Sequence, residues 1–414
     1  MRKVLITLVM LSLLTTGFMF AGGQEEAATD GPTSLVVSSR LWSPAAEQNF
    51  LYDEVFPEFE KENNVIVKFE ILDDTVLLKR AKLQAETGRV TTDVVIVHNG
   101  VMDQWISNNY VEELPVADWP GRTFSAAFMD SIASSGKTYF APVGGDVYLL
   151  LANNKAMKYL PAGVDVQDIT WEQYIDWAVA IAEGEGEGKC AVTGVPMKSL
   201  VYMYGGMFLS YGGEFPVINS PGALEGWKLL TKMHNAYSPT VMTYDNVTAP
   251  MKSGETWLTV AHMARTGEAY RSNPSNYVIA KAPKGPKGIG SIAGVSGFGV
   301  PVGAEHRDLA LKFIEFMTRP EIAVKVARGT GGFLPPIDEA IAVLGDSPVD
   351  EVIKKGVMVL QTGVVSGVPG SAYTSWGAVK QVYDDVFADM IIGTGVYDKA
   401  ILDAAQAKLE ALKK

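Results

Sequence analysis

Between Ser34 and Val97 the chain alternates three extended apolar runs with two stretches of helical spacing, and few folds accept that order. Ser34-Leu35-Val36-Val37-Ser38 reads as a strand, and so do Val65-Ile66-Val67-Lys68-Phe69 and Asp93-Val94-Val95-Ile96-Val97. Phe50, Val55, Phe56 and Phe59 fall near one face of the first intervening helix, and about Thr75 to Glu86 forms the second. Strands joined through helices lie parallel, and the third run, apolar after its Asp, is what a strand covered on both faces requires. The expectation is a doubly wound α/β sheet whose ligands sit beyond the carboxyl ends of its strands. Trp42 and Ser43 follow the first strand and His98 and Asn99 the third, so both pairs belong on that edge.

The remainder continues in the same style. Thr138 to Pro142 and Val147 to Leu151 are extended, and Thr170 with Gln173 is a capping box opening a helix through Ala182. Glu183 to Gly188 reads as a loop, Ser220 to Tyr237 as a helix, and Asn276 to Lys281 as a strand. Lys281 to Gly290 reads as a loop, Phe298 to Pro301 as extended, and Asp308 to Thr318 as an amphipathic helix, with another reaching Ala327. Trp376 to Ile391 and Tyr397 to Leu412 close the chain as helices. At 414 residues there is room for two domains with proper cores.

The first 21 residues carry Arg2 and Lys3, then an apolar stretch from Val4 to Leu14, then Thr15-Thr16-Gly17 and Ala21. That is the pattern of a secretory signal, with a retained anchor as the alternative. Its removal leaves 33 basic against 47 acidic residues, a net charge of −14. Residues 22–33 are small and polar and read as a flexible linker. The single cysteine, Cys190, lies far from this junction, so no lipoprotein cysteine is present there and a periplasmic location is expected. The acid surplus argues against nucleic-acid binding, and one cysteine excludes a disulfide framework and Cys-built metal sites.

Catalytic and cofactor motifs fail one by one. Gly136-Lys137-Thr138 ends like a phosphate loop, but Ser131 stands where its glycine belongs. Gly297-Phe298-Gly299 runs into Pro301 instead of a helix, and Ser296 is one residue short of a nucleophile elbow. The four histidines are scattered, and Glu183, Glu185 and Glu187 read as a solvated loop. No catalytic residues, metal site or cofactor are therefore expected. Aromatics are plentiful, with 8 Trp, 16 Tyr and 16 Phe. Tyr202, Tyr204 and Tyr211 lie in Gly-rich, loop-like company, Trp42 follows a strand and Trp376 opens a helix. Such rings match the apolar faces of sugars, and neighbouring Asp, Asn and Arg match their hydroxyls.

The ordered segments VFPEFEKENN, TGRVTTDVVIV, YVEEL, GKTYFAPVGGDVYLLLANNKAM, DITWEQY, MKSGETWLTV, PKGPKG and GFGVPVGAEHRDLALKFIEFMTRPEIAVKVARGTGGFLP cover nearly all of the mature chain. With the terminal AILDAAQAKLEAL they make the chain resemble the maltose-binding-protein-like group of extracellular solute-binding proteins, the receptors of ABC sugar importers. The resemblance implies two hinge-joined α/β lobes, each a mainly parallel sheet flanked by helices. The lobes would be 34–146 with 296–340, and 147–295 with 341–414, crossing near Gly145–Tyr148, Val295–Gly297 and Ala340. A carbohydrate would sit between them, bounded by Trp42, Asn99, Asp146, Tyr148, Trp257, Arg265, Gly332, Phe333 and Trp376. The implied protein is a monomer that delivers its ligand to ABC transporter permease subunits. A periplasmic glycoside-acting enzyme and a receptor feeding a membrane sensor are the alternatives. Two departures leave the sugar open: Asn153-Asn154-Lys155 replaces the family's Tyr-Asn-Lys, and Ala261 to Ala264 lacks an aromatic found there in some members.

Overall fold

Two larger sheets are joined by a strand that leaves one and immediately enters the other, a small third sheet feeds a second strand into the first, and one hydrophobic cluster runs through both lobes while another lies on one face of the first sheet. These are features of a computed structural model that describes residues 32–132, 136–193, 199–331 and 333–414. The expected signal, all of the linker but its last two residues, and Gly332 lie outside the described residues.

The first sheet has the order β2-β1-β3-β11-β4, with β1 Thr33–Ser39, β2 Val65–Ile71, β3 Val94–His98, β4 Ala141–Asp146 and β11 Gly294–Gly299. β1 pairs parallel with β2 (Val37 opposite Phe69) and with β3 (Ser38 opposite Val95). β3 is buried on both faces, as its apolar run demands. Val94 and Ile96 join Leu35, Phe56, Phe59 and Phe313 on one side. Val95 and Val97 join Met102 and Trp105 on the other. The helix Arg307–Met317 covers the first of these faces through Ala310, Phe313, Ile314 and Met317, the three-and-four spacing of an amphipathic helix.

The second sheet has the order β6-β7-β5-β8, with β5 Tyr148–Asn153, β6 Cys190–Ala191, β7 Leu258–His262 and β8 Tyr277–Lys281. Leu149, Leu150 and Leu151 of β5 are fully buried, and the lobe's core adds Trp177, Tyr204, Phe208, Trp227 and Tyr383. The capping box forms as read: the Thr170 hydroxyl accepts from the Gln173 N–H at 3.2 Å, and Gln173 Oε1 accepts from the Thr170 N–H at 3.0 Å.

Several expectations need correction. The sheets are less parallel than "mainly parallel" implies. β11 runs antiparallel to both β3 and β4, and β5 antiparallel to both β7 and β8; in the second sheet only β6 and β7 are parallel. The reason is connectivity, since a strand arriving from the other lobe need not obey the helical crossover that enforces parallel pairing. The segment with Tyr202 and Tyr204 is a buried helix, Leu200–Ser210, and not a loop. Its glycines serve close approach: a Cβ on Gly205 would lie 2.5 Å from the Phe215 ring, and one on Gly206 2.9 Å from the Gly290 carbonyl oxygen. The expected loop Lys281–Gly290 contains a small antiparallel pair, β9 Lys284–Gly285 against β10 Gly288–Ile292, with β12 Val364–Ser366 parallel on the other side of β10. Glu183 and Glu185 belong to the helix Trp171–Glu185, which Gly186 ends at φ 72°. The helix Pro348–Thr362 has no counterpart in the sequence reading.

Candidate functional site

Three stretches of chain lie side by side where the sheets meet. β4 passes through Val147 into β5, and β10 passes through Ala293 into β11. Gly294 pairs with Asp146, while Leu334 and Gly145 exchange two backbone hydrogen bonds of 2.8 and 3.3 Å. Above this junction is a cleft of about 600 Å³. One wall comes from residues 40–47 after β1 and from Gly329–Gly331 and Phe333. The other comes from the helix Met263–Ser272, His262, and Asp245 with Asn246. This is the strand-end position expected of α/β ligand sites, and the volume suits a small molecule.

At the junction itself a chain of three side chains is closed. A carboxylate only accepts, so His262 Nδ1 carries the proton it donates to Asp146 Oδ2 at 2.9 Å. His262 Nε2 then accepts from the Tyr148 hydroxyl at 3.0 Å. Asp146 Oδ1 also takes the backbone N–H of Met263 at 3.1 Å, at the start of its helix. Burial, with the Asp146 charge second, pushes the Tyr148 phenol well above its ordinary value and keeps it a donor. Asp146 is the last residue of the first sheet's strand, and His262 the last of β7 in the second, so this chain spans the two.

The first-sheet wall has its own network. The Asp74 carboxylate pairs with Arg40 at 3.2 Å and accepts the His98 N–H at 3.1 Å. His98 Nδ1 accepts the N–H of Gly100 at 3.1 Å, a bond only an unprotonated nitrogen makes. Burial, followed by the nearby charges of Arg40 and Lys380, pulls this imidazole down to about 3. Trp42 holds φ 62°, a left-handed conformation rare for a bulky residue and of the kind retained at functional sites.

The nine residues read from the sequence are placed as follows. Trp42, Asp146, Arg265 and Phe333 line the cleft together. Trp42 is only 3% exposed and packs on Phe69 at 5.9 Å, so little of its ring is open to the cleft. Tyr148 lies behind His262. Asn99 is buried beside Gly100, whose Cα a Cβ on Gly370 would approach to 3.1 Å, and its Oδ1 has no partner among the described residues. Trp376 donates to the Tyr202 hydroxyl at 2.8 Å, and Tyr202 in turn packs against His262 at 6.4 Å, an aromatic path leading away from the cleft. Trp257 precedes β7 at the end opposite His262 and lies outside the cleft lining, its indole bonded to the Gly254 carbonyl at 3.0 Å. Gly332 is not among the described residues.

Sequence reasoning missed Arg40, Glu47, Asp245, His262, Glu268 and Arg271. Two signals were present. His262 ends an apolar strand just as His98 does, and Arg265, Glu268 and Arg271 recur every three residues, one face of a helix.

Among the described residues no group of three or more His, Cys, Asp and Glu is placed to hold a metal ion, and no helix is long and apolar enough to cross a membrane.

A family model described as bacterial extracellular solute-binding protein matches residues 43–324. No curated protein sequence matches the chain significantly. Among solved structures, the sugar-binding protein MalE from Xanthomonas citri superposes with a TM-score of 0.73 at 17% identity, over 92% of this chain and 97% of that one. The GacH receptor of Streptomyces glaucescens, solved unliganded and with acarbose, gives 0.72 at 18% identity, over 92% and 98%. Maltose-bound MalE3 of T. maritima gives 0.70 at 16% identity, over 92% and 99%. At these identities the likeness speaks for the two-lobed fold.

Proposed function

The chain belongs to the family of bacterial extracellular solute-binding proteins, and from that premise we propose that it is the receptor of an ABC importer. It binds a carbohydrate in the interlobe cleft and hands it, with the lobes closed, to the permease subunits in the membrane. The observation carrying this reading is the cleft of about 600 Å³ directly over three crossing strands, walled by one lobe's strand ends and the other lobe's Met263–Ser272 helix. A ligand touching both walls favours the closed state by its differential affinity, and the crossing strands supply the hinge.

In this reading the lobes are 34–146 with 296–340 and 147–295 with 341–414. The third crossing falls after the short helical turn at Ala340, whose side chain packs with Ala323 and Ile337. Trp42, Asp146, Arg265 and Phe333 contact the ligand. Tyr148 acts through His262, and Asn99 and Trp376 border the site. The protein works as an exported periplasmic monomer without a cofactor or a reaction of its own.

The test is thermal unfolding of residues 22–414 against mono- and oligosaccharides, polyols and sugar phosphates. A ligand at 100 times its dissociation constant stabilises by about 2.7 kcal/mol, a shift of several degrees. A shift with the compound recovered unchanged supports the receptor. No shift across the panel, or consumption of the compound, overturns it.

A further inference from the structure

Three arginines line the cleft, and two are already engaged. Arg40 pairs with Asp74 at 3.2 Å and Arg265 with Glu268 at 3.2 Å. Arg271 has no carboxylate within 4.0 Å among the described residues, and its Nη1 is shielded from solvent without an acceptor. A guanidinium nitrogen deprived of both water and an acceptor is unfavourable, so it marks a place where a partner is missing. Across the cleft, on the helix Ala45–Phe50 of the other lobe, stands the half-buried Glu47, whose carboxylate makes no hydrogen bond or ion pair among the described residues. Burial raises its carboxyl to about 7, with Glu268 adding to the effect and Arg265 and Arg271 opposing it.

The two groups flank one glycine. A Cβ on Gly331 would lie 3.4 Å from Arg271 Nη2 and 3.9 Å from Glu47 Oε1, so these atoms are no more than about 7 Å apart, yet too far for an ion pair. A hydroxyl both donates and accepts, with legs of about 2.8 Å each, so one hydroxyl or two adjacent ones span such a gap.

We propose that Glu47 and Arg271 are the jaws of a ligand clamp. A hydroxyl of a neutral, polyhydroxylated ligand donates to the Glu47 carboxylate, while the same or the adjacent hydroxyl accepts from the Arg271 guanidinium. This rests on the sugar-receptor reading and narrows it to uncharged ligands. An acidic group at Arg271 would sit against Glu47 and Glu268, and the cleft also carries Asp146 and Asp245. The jaws belong to different lobes, so the clamp closes only when the lobes do, which ties recognition of the hydroxyl to closure.

Titration calorimetry of residues 22–414 with D-glucose, maltose, D-glucitol and D-glucuronate tests this, using the wild type, Glu47→Gln, Arg271→Gln and the double variant. The expected result is a neutral compound that binds the wild type and loses tenfold to a hundredfold in affinity with each single change. The double variant should lose less than the product of the two, because one hydroxyl pair serves both jaws. Unliganded melting temperatures at neutral pH should stay within about 2 °C of wild type, separating lost recognition from lost folding. Wild-type affinity in both single variants overturns the clamp while leaving the receptor standing. Preference for D-glucuronate overturns the neutral class. If none of the four binds the wild type while another sugar does, the clamp fails as stated and the receptor stands. If no sugar binds at all, both fall together.

Discussion

The two ends of the helix Met263–Ser272 meet the first lobe in opposite ways. At its start the side chains are answered by one another: Asp146 holds His262 and the Met263 N–H, and His262 holds Tyr148. Near its end, about 12 Å away by helical rise, the Arg271 guanidinium and the Glu47 carboxylate face each other across the cleft with neither one paired among the described residues. Buried polar groups in native proteins are nearly always satisfied. The closed end therefore reads as architecture that fixes how the lobes are joined, and the open end as a place awaiting a ligand. Each prediction below presses on that contrast.

The largest effect is expected at the junction backbone. A Cβ on Gly145 would lie 2.2 Å from the Phe128 ring and 3.2 Å from the Gly294 carbonyl oxygen, between two crossing strands. Gly145→Ala should cost about 3 kcal/mol of unfolding free energy, the upper range for overpacking, measured by urea denaturation. A stable variant would mean that the junction tolerates displacement and is not the rigid end. Asp146→Ala comes next, at about 2 kcal/mol, because His262 Nδ1 loses its acceptor in a partly buried site. The Met263 N–H keeps its second acceptor, the Val147 carbonyl at 2.8 Å, which limits the loss. Tyr148→Phe should cost about 1 kcal/mol, the ordinary worth of one neutral hydrogen bond. A smaller cost for Asp146→Ala than for Tyr148→Phe would break the ordering, since the charged acceptor ought to dominate.

How much of this could be read in advance differs between the same two ends. The first lobe's β1-β2-β3 order followed from the period of apolar residues, Trp42 from its position at a strand end, and Asp146 from the family resemblance. The antiparallel entry of β5 and β11 did not, because pairing direction depends on where a strand comes from in space and leaves no mark in its composition. Helix Leu200–Ser210 escaped because a helix buried all round has no amphipathic stripe, and its glycines imitate a loop. The opposed pair Glu47 and Arg271 is 224 residues apart in sequence, and only the closing of two lobes on one cleft brings it together. Trp257, named through the family resemblance for its place just upstream of Ala261 to Ala264, covers a strand's far end beneath Lys155 and Lys158, each 5.8 Å from its ring.

The smallest predicted effect bears on the open end alone. Glu47 has a folded-state carboxyl at about 7 against 4.5 in the unfolded chain, mainly because burial penalises its charge. The folded state therefore binds this proton more tightly than the unfolded one. The stability this residue contributes is fully present below pH 4.5, declines as pH rises, and is gone above about 7. Glutamine at this position is neutral at every pH, so the melting temperature of Glu47→Gln minus that of the wild type should climb between pH 4.5 and 7 and then level off. Every other titrating group is common to both proteins and largely cancels in the difference. The side chain keeps part of its hydration, which holds the climb to about 1 °C. A flat difference would place the carboxylate in open water, and a falling one would mean it already has a cationic partner. Either result removes the unpaired acid from the open end, and with it the contrast between the helix's two termini.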